Sequence, residues 1–401
     1  MKLLFVNPLL TRLNSPGAAE LDTFALIAAL RRLGHDVRVL QPIEVDQSAL
    51  EVTRFYHDYV EEPAYMPPLP VEAVRFELSM RDARRLTDLA HLDGAGWTYA
   101  SPAFARLVER AIQDFRPEGV FSMMSFSWGV AKIAKQHGLP CVIRSQNNEA
   151  RHLLQENGIT LANLIRFIGK AAVERHVARL PTVVAAITPD EAAFYRRIAP
   201  AATIEVLPLL TLPDLLRPPR PQTAATPLHV FFMGSSYNVP HNRAALRFIV
   251  DQVVPAVRDR DPSAFVFHML GSKVPPEISA FAADDLIFEG YMPDLAAFLQ
   301  DMDIALIPSL GGAGMQQKVF EPLCRAFPTI THARVFAGYP FQDGVDMLTG
   351  ETAADFVAAL EQLRDPAARA LLSQGAWARA DALFNRDAID GVLSKIVAAL
   401  V

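Results

Sequence analysis

Lys318 and Glu321 lie three residues apart, a spacing that projects both side chains from one face of a helix. A lysine there can neutralise a diphosphate, and a carboxylate one turn later can accept two hydrogen bonds from a ribose diol. The same spacing also describes a solvent-exposed ion pair worth about 0.2–0.5 kcal/mol. The pair alone does not choose between the two.

Its surroundings narrow the choice. Ile304-Ala305-Leu306-Ile307 is a short apolar run of the kind that forms a buried parallel strand. A glycine loop follows (Gly311, Gly312, Gly314), then a helical pattern with Val319, Phe320, Leu323 and Cys324 on its apolar side. A strand, a glycine turn and a helix N-terminus together make an anion site, because the backbone can approach closely and the free N–H groups favour negative charge. Gly312, Ala313, Gly314 and Met315 would line it.

Other polar loops follow short apolar runs in the same way. Pro140–Arg144 runs into Ser145-Gln146-Asn147-Asn148-Glu149, which also reads as a capped helix start. Leu228–Met233 leads to Gly234-Ser235-Ser236 and a helix from about Asn242. Ala264–Leu270 leads to Gly271-Ser272, and Leu286–Glu289 to Gly290-Tyr291-Met292. At the start, Lys2–Val6 is a strand, a turn-rich loop spans Asn7–Gly17, and a helix runs from Ala18 to a Gly34 cap before strand Asp36–Leu40. Strand and helix alternate in both halves, which is the pattern of α/β Rossmann-like units with ligands over the carboxyl ends of the strands.

The pattern G-x-G-x-x-x-K-x-x-E, a small-residue helix and a Pro-led strand resemble glycosyltransferase family 4 (group 1), the retaining enzymes of the GT-B fold. The run S-P-G-A-A-E-L followed by R-R-L-G-H-D-V is similar to that family's opening, and F-M-G-S-S-Y-N-V-P-H-N to the start of its second domain. Gly314, Lys318, Glu321 and Pro328 match. The chain departs at Gln316, where one branch has arginine, at Ala313, where the wider family has a glutamate, and at Gln146, where a histidine is common. With Gln316 in that place, and no lysine or arginine in the loop after Gly234, Lys318 is the one evident cation near the expected diphosphate.

The resemblance implies two Rossmann-like domains facing each other across a cleft, with a C-terminal helix crossing back to the first. It implies a retaining, metal-independent transfer from a nucleotide-diphosphate sugar to a glycan, lipid-linked or small-molecule acceptor, with no cofactor. Lys318, Glu321 and Gln146 would carry the chemistry. Gly234, Ser235, Asn242, Gly271, Met292, Gly312, Ala313, Gly314 and Met315 would bind the donor. Gly17, Asn147 and Glu149 would stand on the acceptor side. The three departures motivate an alternative, a non-catalytic protein of this fold that binds a nucleotide sugar or a glycan. A third reading, a two-domain solute-binding protein, would need export. Asp301-Met302-Asp303 is rejected as a metal site. The D-x-D pair precedes strand Ile304–Ile307 and so falls at its amino end, away from the ligand crevice, and no other cluster has metal-ligand spacing.

The remaining expectations come from composition and punctuation. At 401 residues the chain should form about two domains. The Pro-rich stretch Pro208–Pro227 reads as a stiff linker between domains 1–207 and 228–385, with 386–401 as the returning helix. A net charge of −6 without long basic runs argues against a nucleic-acid partner. Cys141 and Cys324, the only cysteines, give no disulfide framework and suggest a reducing compartment. The N-terminal apolar run is too short for a signal peptide and no stretch is long enough to span a membrane, so the expected location is cytoplasmic. Leu164–Leu180 carries Arg166, Lys170, Arg175 and Arg179 among apolar residues. Such a helix either covers the domain's sheet, the reading favoured here, or makes peripheral contact with the inner face of a membrane. Glu51–Ala100 is the least legible region, read as surface helices and loops or as part of an acceptor groove.

Overall fold

This computed structural model describes residues 1–7, 17–43, 47–75, 101–311 and 314–401. They divide into two compact units, Met1–Thr211 with Arg386–Val401, and Leu212–Asn385.

The first unit runs β1 (Lys2–Val6), α1 (Ala18–Arg32), β2 (Asp36–Ile43), α2 (Ala49–Tyr59), β3 (Val71–Arg75), α3 (Pro102–Phe115), β4 (Gly119–Met123), α4 (Trp128–Gln136), β5 (Cys141–Arg144), α5 (Glu149–Asn157), α6 (Leu161–Val177), β6 (Val183–Ala186), α7 (Pro189–Ile198) and β7 (Thr203–Val206). Its strands form one parallel sheet in the order β3-β2-β1-β4-β5-β6-β7. Helices cover both faces of such a sheet, so a central strand must be apolar on both sides. In β1, Leu3 and Phe5 enter one core cluster while Leu4 and Val6 enter another. The closing helix Arg386–Ala398 adds Ile389, Leu393, Ile396 and Val397 to the first cluster, and its Asp390 accepts from the Arg32 guanidinium at 2.7 Å. The last helix therefore returns to the first unit.

The second unit runs β8 (Leu228–Ser236), α8 (Pro240–Phe248), a π turn into α9 (Val254–Arg258), β9 (Phe265–Ser272), α10 (Pro276–Ser279), β10 (Leu286–Gly290), α11 (Leu295–Phe298), β11 (Ile304–Ile307), α12 (Gln317–Cys324), β12 (Thr329–Thr331), β13 (Leu348–Thr349), α13 (Ala353–Gln362) and α14 (Pro366–Phe384). Its parallel sheet has the order β10-β9-β8-β11-β12-β13. Strand order reverses beside β1 in one unit and beside β8 in the other. At such switch points the loops after adjacent strands diverge and leave a crevice for ligands.

Three segments differ from expectation. The stretch 208–227 does not hang free between the units. Leu209 and Leu210 are buried and the Leu210 amide donates to Asp22, all within the first unit. From Leu212, which is fully buried, the chain belongs to the second unit, where the Arg217 amide donates to the Cys324 carbonyl and Arg220 lies over the Phe327 ring. Leucines spaced among the prolines anchor it. Next, β8 and β9 continue through Gly234 and Gly271, which the sequence pattern places in loops. Finally, Glu51–Ala100 contains α2 and β3, whose edge strand extends the sheet, while 76–100 lies outside the described residues.

Candidate functional site

The second unit's switch point lies between β8 and β11, and Ser235, Asn242 and Lys318 gather at the carboxyl end of β8 and in the helices that follow these two strands. α8 begins at Pro240, where proline's missing N–H costs nothing, and this brings Asn242 into its first turn. Asn242 donates to the Ser235 hydroxyl at 3.3 Å and to the Ser236 carbonyl at 3.1 Å. Its oxygen accepts from Lys318 Nζ at 2.8 Å. Ser235, Asn242 and Lys318, distant in sequence, thus form one hydrogen-bonded chain.

Lys318 is half-buried, and its ammonium stands 5.9 Å from the centroid of the Phe232 ring. Burial first, and the positive charge of Arg334 second, push its pKa down to about 8. Arg334 is the residue that sequence reasoning missed. It sits in a short 3₁₀ turn, Ala333–Phe336, just after β12, and donates from Nε at 3.1 Å and from a terminal nitrogen at 2.6 Å to the Ser309 carbonyl. The expectation that Lys318 is the one evident cation at this site is therefore corrected. No motif marks Arg334, and only the adjacency of β12 to β11 carries it there.

Gln316 has a structural use. Its Oε1 accepts from the Ser309 hydroxyl at 2.6 Å, and its Nε2 donates to the Gly311 carbonyl at 3.2 Å. The glutamine thus ties the two ends of the glycine loop together. Gly311 is held close to α8, since a Cβ there would stand 2.9 Å from His241 Cβ. Gly314 has φ +67°, the left-handed region that favours glycine, and Met315 is buried. Gly312 and Ala313 lie outside the described residues.

Glu321 and Lys318 share a helix but do not pair. Glu321 is largely buried and accepts from Arg325 at 2.9 Å and from Gln317 at 3.3 Å. Pro322 has no N–H to offer the Lys318 carbonyl, so this short helix is loosened where the two residues meet. Gly234 and Gly271 have a packing role: a Cβ on Gly271 would stand 1.8 Å from the Gly234 carbonyl oxygen. Met292 follows the Gly290 turn at the carboxyl end of β10, at the far side of the sheet from β11. Asp303 lies at the amino end of β11, where its carboxylate accepts from the His229 amide at 2.8 Å.

The first unit holds its own polar network. Gln146 is buried and donates to Asp22 at 3.3 Å. The fully buried Asp22 also accepts from Arg144 at 3.1 Å and from the Leu210 amide at 2.8 Å. Arg144 in turn donates to the Leu207 and Pro208 carbonyls. The Gln146 amide is thus engaged in holding the end of β5 to α1 and to the chain leaving β7. Gly17 caps α1, with its amide donating to Glu20 at 2.9 Å, and a Cβ there would meet the same carboxylate at 2.8 Å. Asn148, not Asn147, caps α5 by accepting from the Arg151 amide. The Asn147 carbonyl accepts from the Ser145 hydroxyl, and Glu149 lies 4.0 Å from Lys170.

Comparison with known proteins follows the same division. Residues 17–210 match the family model described as a glycosyl transferase 4-like domain, and residues 227–365 match glycosyl transferases group 1. No curated protein sequence matches. Among solved structures, sucrose-phosphate synthase from Thermosynechococcus elongatus is similar at 15% identity over 100% of this chain and 99% of that one, with a TM-score of 0.71. HepE from Anabaena in complex with UDP is 14% identical over 100% of both chains, with a TM-score of 0.70. A TarM variant from S. aureus, in complex with Fondaparinux, alpha-GlcNAc-glycerol and UDP, is 9% identical over 100% of both, with a TM-score of 0.67. At these identities the likeness establishes the shared fold.

Proposed function

We propose, for a chain that belongs to the group 1 glycosyltransferases of GT-B fold, that its second unit binds a nucleotide-diphosphate sugar and that the sugar is transferred with retention of configuration. The observation that carries this reading is the bond from Lys318 to Asn242, which joins the starts of two helices across the β8/β11 switch point. Helix N-termini, a lysine and an arginine suit a diphosphate. That HepE was solved with UDP supports the ligand class.

In this reading the bond from the sugar's anomeric carbon to the diphosphate breaks through an oxocarbenium-like centre. The incoming hydroxyl forms its bond on the same face, and its proton passes to the leaving diphosphate oxygen. The main task of the protein is to stabilise charge on that leaving group, through Lys318, Arg334 and the amides of the glycine loop. No metal or other cofactor is required. The position of Asp303 at the amino end of its strand supports this, since that end faces away from the switch-point crevice. Acceptors in this reading are glycans, lipid-linked sugars or small molecules, bound by the first unit at a cytoplasmic location.

The test is incubation of the purified protein with UDP-, GDP- and ADP-sugars, with and without a chelator, followed by assignment of the product anomer by NMR. Release of nucleotide diphosphate that survives chelation, with the donor's anomeric configuration kept, is expected. Activity that vanishes with chelation and returns with Mg2+ or Mn2+, or an inverted product, would overturn the mechanism. Tight nucleotide-sugar binding with no turnover would favour a non-catalytic binding protein.

A further inference from the structure

The second half of α6 packs on the core of the first unit, while the first half is paired with α5. Val173 and Val177 enter the core, while Leu161, Ile165 and Ile168 are 77%, 65% and 68% exposed. The residue before the helix cap, Ile159, is 78% exposed. This projecting tip is built by polar bonds. Thr160 caps the Asn163 amide at 3.1 Å, and the buried Asn163 side chain donates to the Asn157 and Gly158 carbonyls at 2.9 Å each. Its isoleucines and leucine are therefore not consumed in holding its shape. The expectation that this helix covers the sheet is met only by its second half.

The spacing along α6 is informative. Leu161, Ile165 and Ile168 recur at helical intervals on one stripe, and that stripe continues through Ala172 to Arg175 and, just past the helix, Arg179. A single face is thus apolar at its tip and basic further back. At 1.5 Å rise per residue, Arg175 stands roughly 10 Å along the axis from Ile168, about the depth that separates acyl chains from lipid phosphates. Between Ile159 and Arg179 the exposed charges are Arg166, Arg175 and Arg179, all positive. The one acidic residue in this stretch, Glu174, is buried. Lys170 lies half-buried beside Glu149. This basic stretch belongs to a chain whose net charge is −6.

We propose that this face of α6, led by Ile159, Leu161, Ile165 and Ile168 and followed by Arg175 and Arg179, docks the protein onto an anionic lipid bilayer. The apolar tip enters the interface and the arginines meet the phosphates. The positive charge of this face on an otherwise acidic chain favours an anionic surface over a second copy, whose own face carries the same charge. Contact of this kind is interfacial; no helix among the described residues is long and apolar enough to cross a membrane. It goes beyond the transferase reading and is tested without it.

The experiment is flotation of the purified protein with vesicles of phosphatidylcholine alone and of phosphatidylcholine with about 30% phosphatidylglycerol. Binding should need the anionic lipid and weaken as salt rises. The Ile165→Asp, Ile168→Asp double variant should reduce it at least about tenfold, and Arg175→Gln with Arg179→Gln should remove the preference for anionic lipid. All these residues are exposed, so melting curves should stay at the wild-type position. Absence of wild-type binding to anionic vesicles, or unchanged binding by the double isoleucine variant, would overturn the proposal. So would a dimer in sedimentation equilibrium that dissociates in that variant.

Discussion

Lys318 Nζ donates to Asn242 Oδ1 at 2.8 Å, so the first turn of α12 is fastened to the first turn of α8. Two helices that begin after neighbouring strands are thereby joined at their starts. If leaving-group charge is stabilised there, loss of the ammonium removes a contact already positioned before the reaction. Lys318→Ala should lower turnover by about 100- to 1,000-fold. Its melting temperature should stay near the wild-type value, because the substitution also removes the cost of keeping a charge half-buried. Steady-state kinetics beside a thermal melt checks both. Near-normal turnover would end the assignment.

Arg334 changes how the site responds to pH. Lys318 carries its charge below about 8 and loses it above, since burial first and Arg334 second lower its pKa. Affinity for a nucleotide diphosphate should therefore fall as pH rises through that value, and binding should take up protons. Arg334→Gln removes one source of the shift, so the break should move to higher pH while affinity at neutral pH drops. Calorimetry with UDP across this range in two buffers of different ionisation enthalpy measures both quantities. A break unmoved by Arg334→Gln would show that the two cations do not share the site.

Glu321 is held by Arg325 and Gln317. That leaves the carboxylate fixed in direction, as a ribose clasp requires. Glu321→Gln should weaken nucleotide binding by about 1–3 kcal/mol, the usual size of a charge-assisted bond. A deoxyribose analogue should suffer the same loss on the wild-type protein and little further loss on the variant. Additive losses would place the carboxylate away from the diol.

The first unit contains a buried acidic pair beneath the Ser145 loop. Tyr195 donates to Glu174 at 3.0 Å, and Ser145 lies 3.0 Å from Tyr195 and 3.4 Å from Glu191. Burial pushes both carboxyls up to about 7, and for Glu191 the charge of Glu174 adds to it. A carboxyl whose folded pKa exceeds its unfolded value stabilises the fold fully below the unfolded pKa, and that contribution is lost as pH rises through the folded one. Stability should thus decline between about pH 4.5 and 7. Glu174→Gln keeps the shape of the protonated acid and should flatten the decline. Melting temperatures from pH 5 to 8 test it, and an equally steep decline in the variant would refute the assignment.

Much of the architecture was legible from short patterns. Buried parallel strands are apolar on both faces, so Lys2–Val6 and Ile304–Ile307 stand out as contiguous runs with the bounds that the structure gives. Alternation with helices then points to two Rossmann-like units, and the residues Ser235, Asn242 and Lys318 can be picked out as polar groups that follow strands. The sequence could not say that Asn242 bonds Lys318, because that depends on β8 and β11 lying side by side. Nor could it show Arg334, whose role follows from the pairing of β12 with β11 and from no local motif. Gly234 and Gly271 read as loop residues until two strands are placed so close that no Cβ fits. For α6, periodicity marks an apolar stripe but not whether anything lies against it. A stripe is a property of one helix, whereas burial is a property of its neighbours, and only the tertiary structure supplies those.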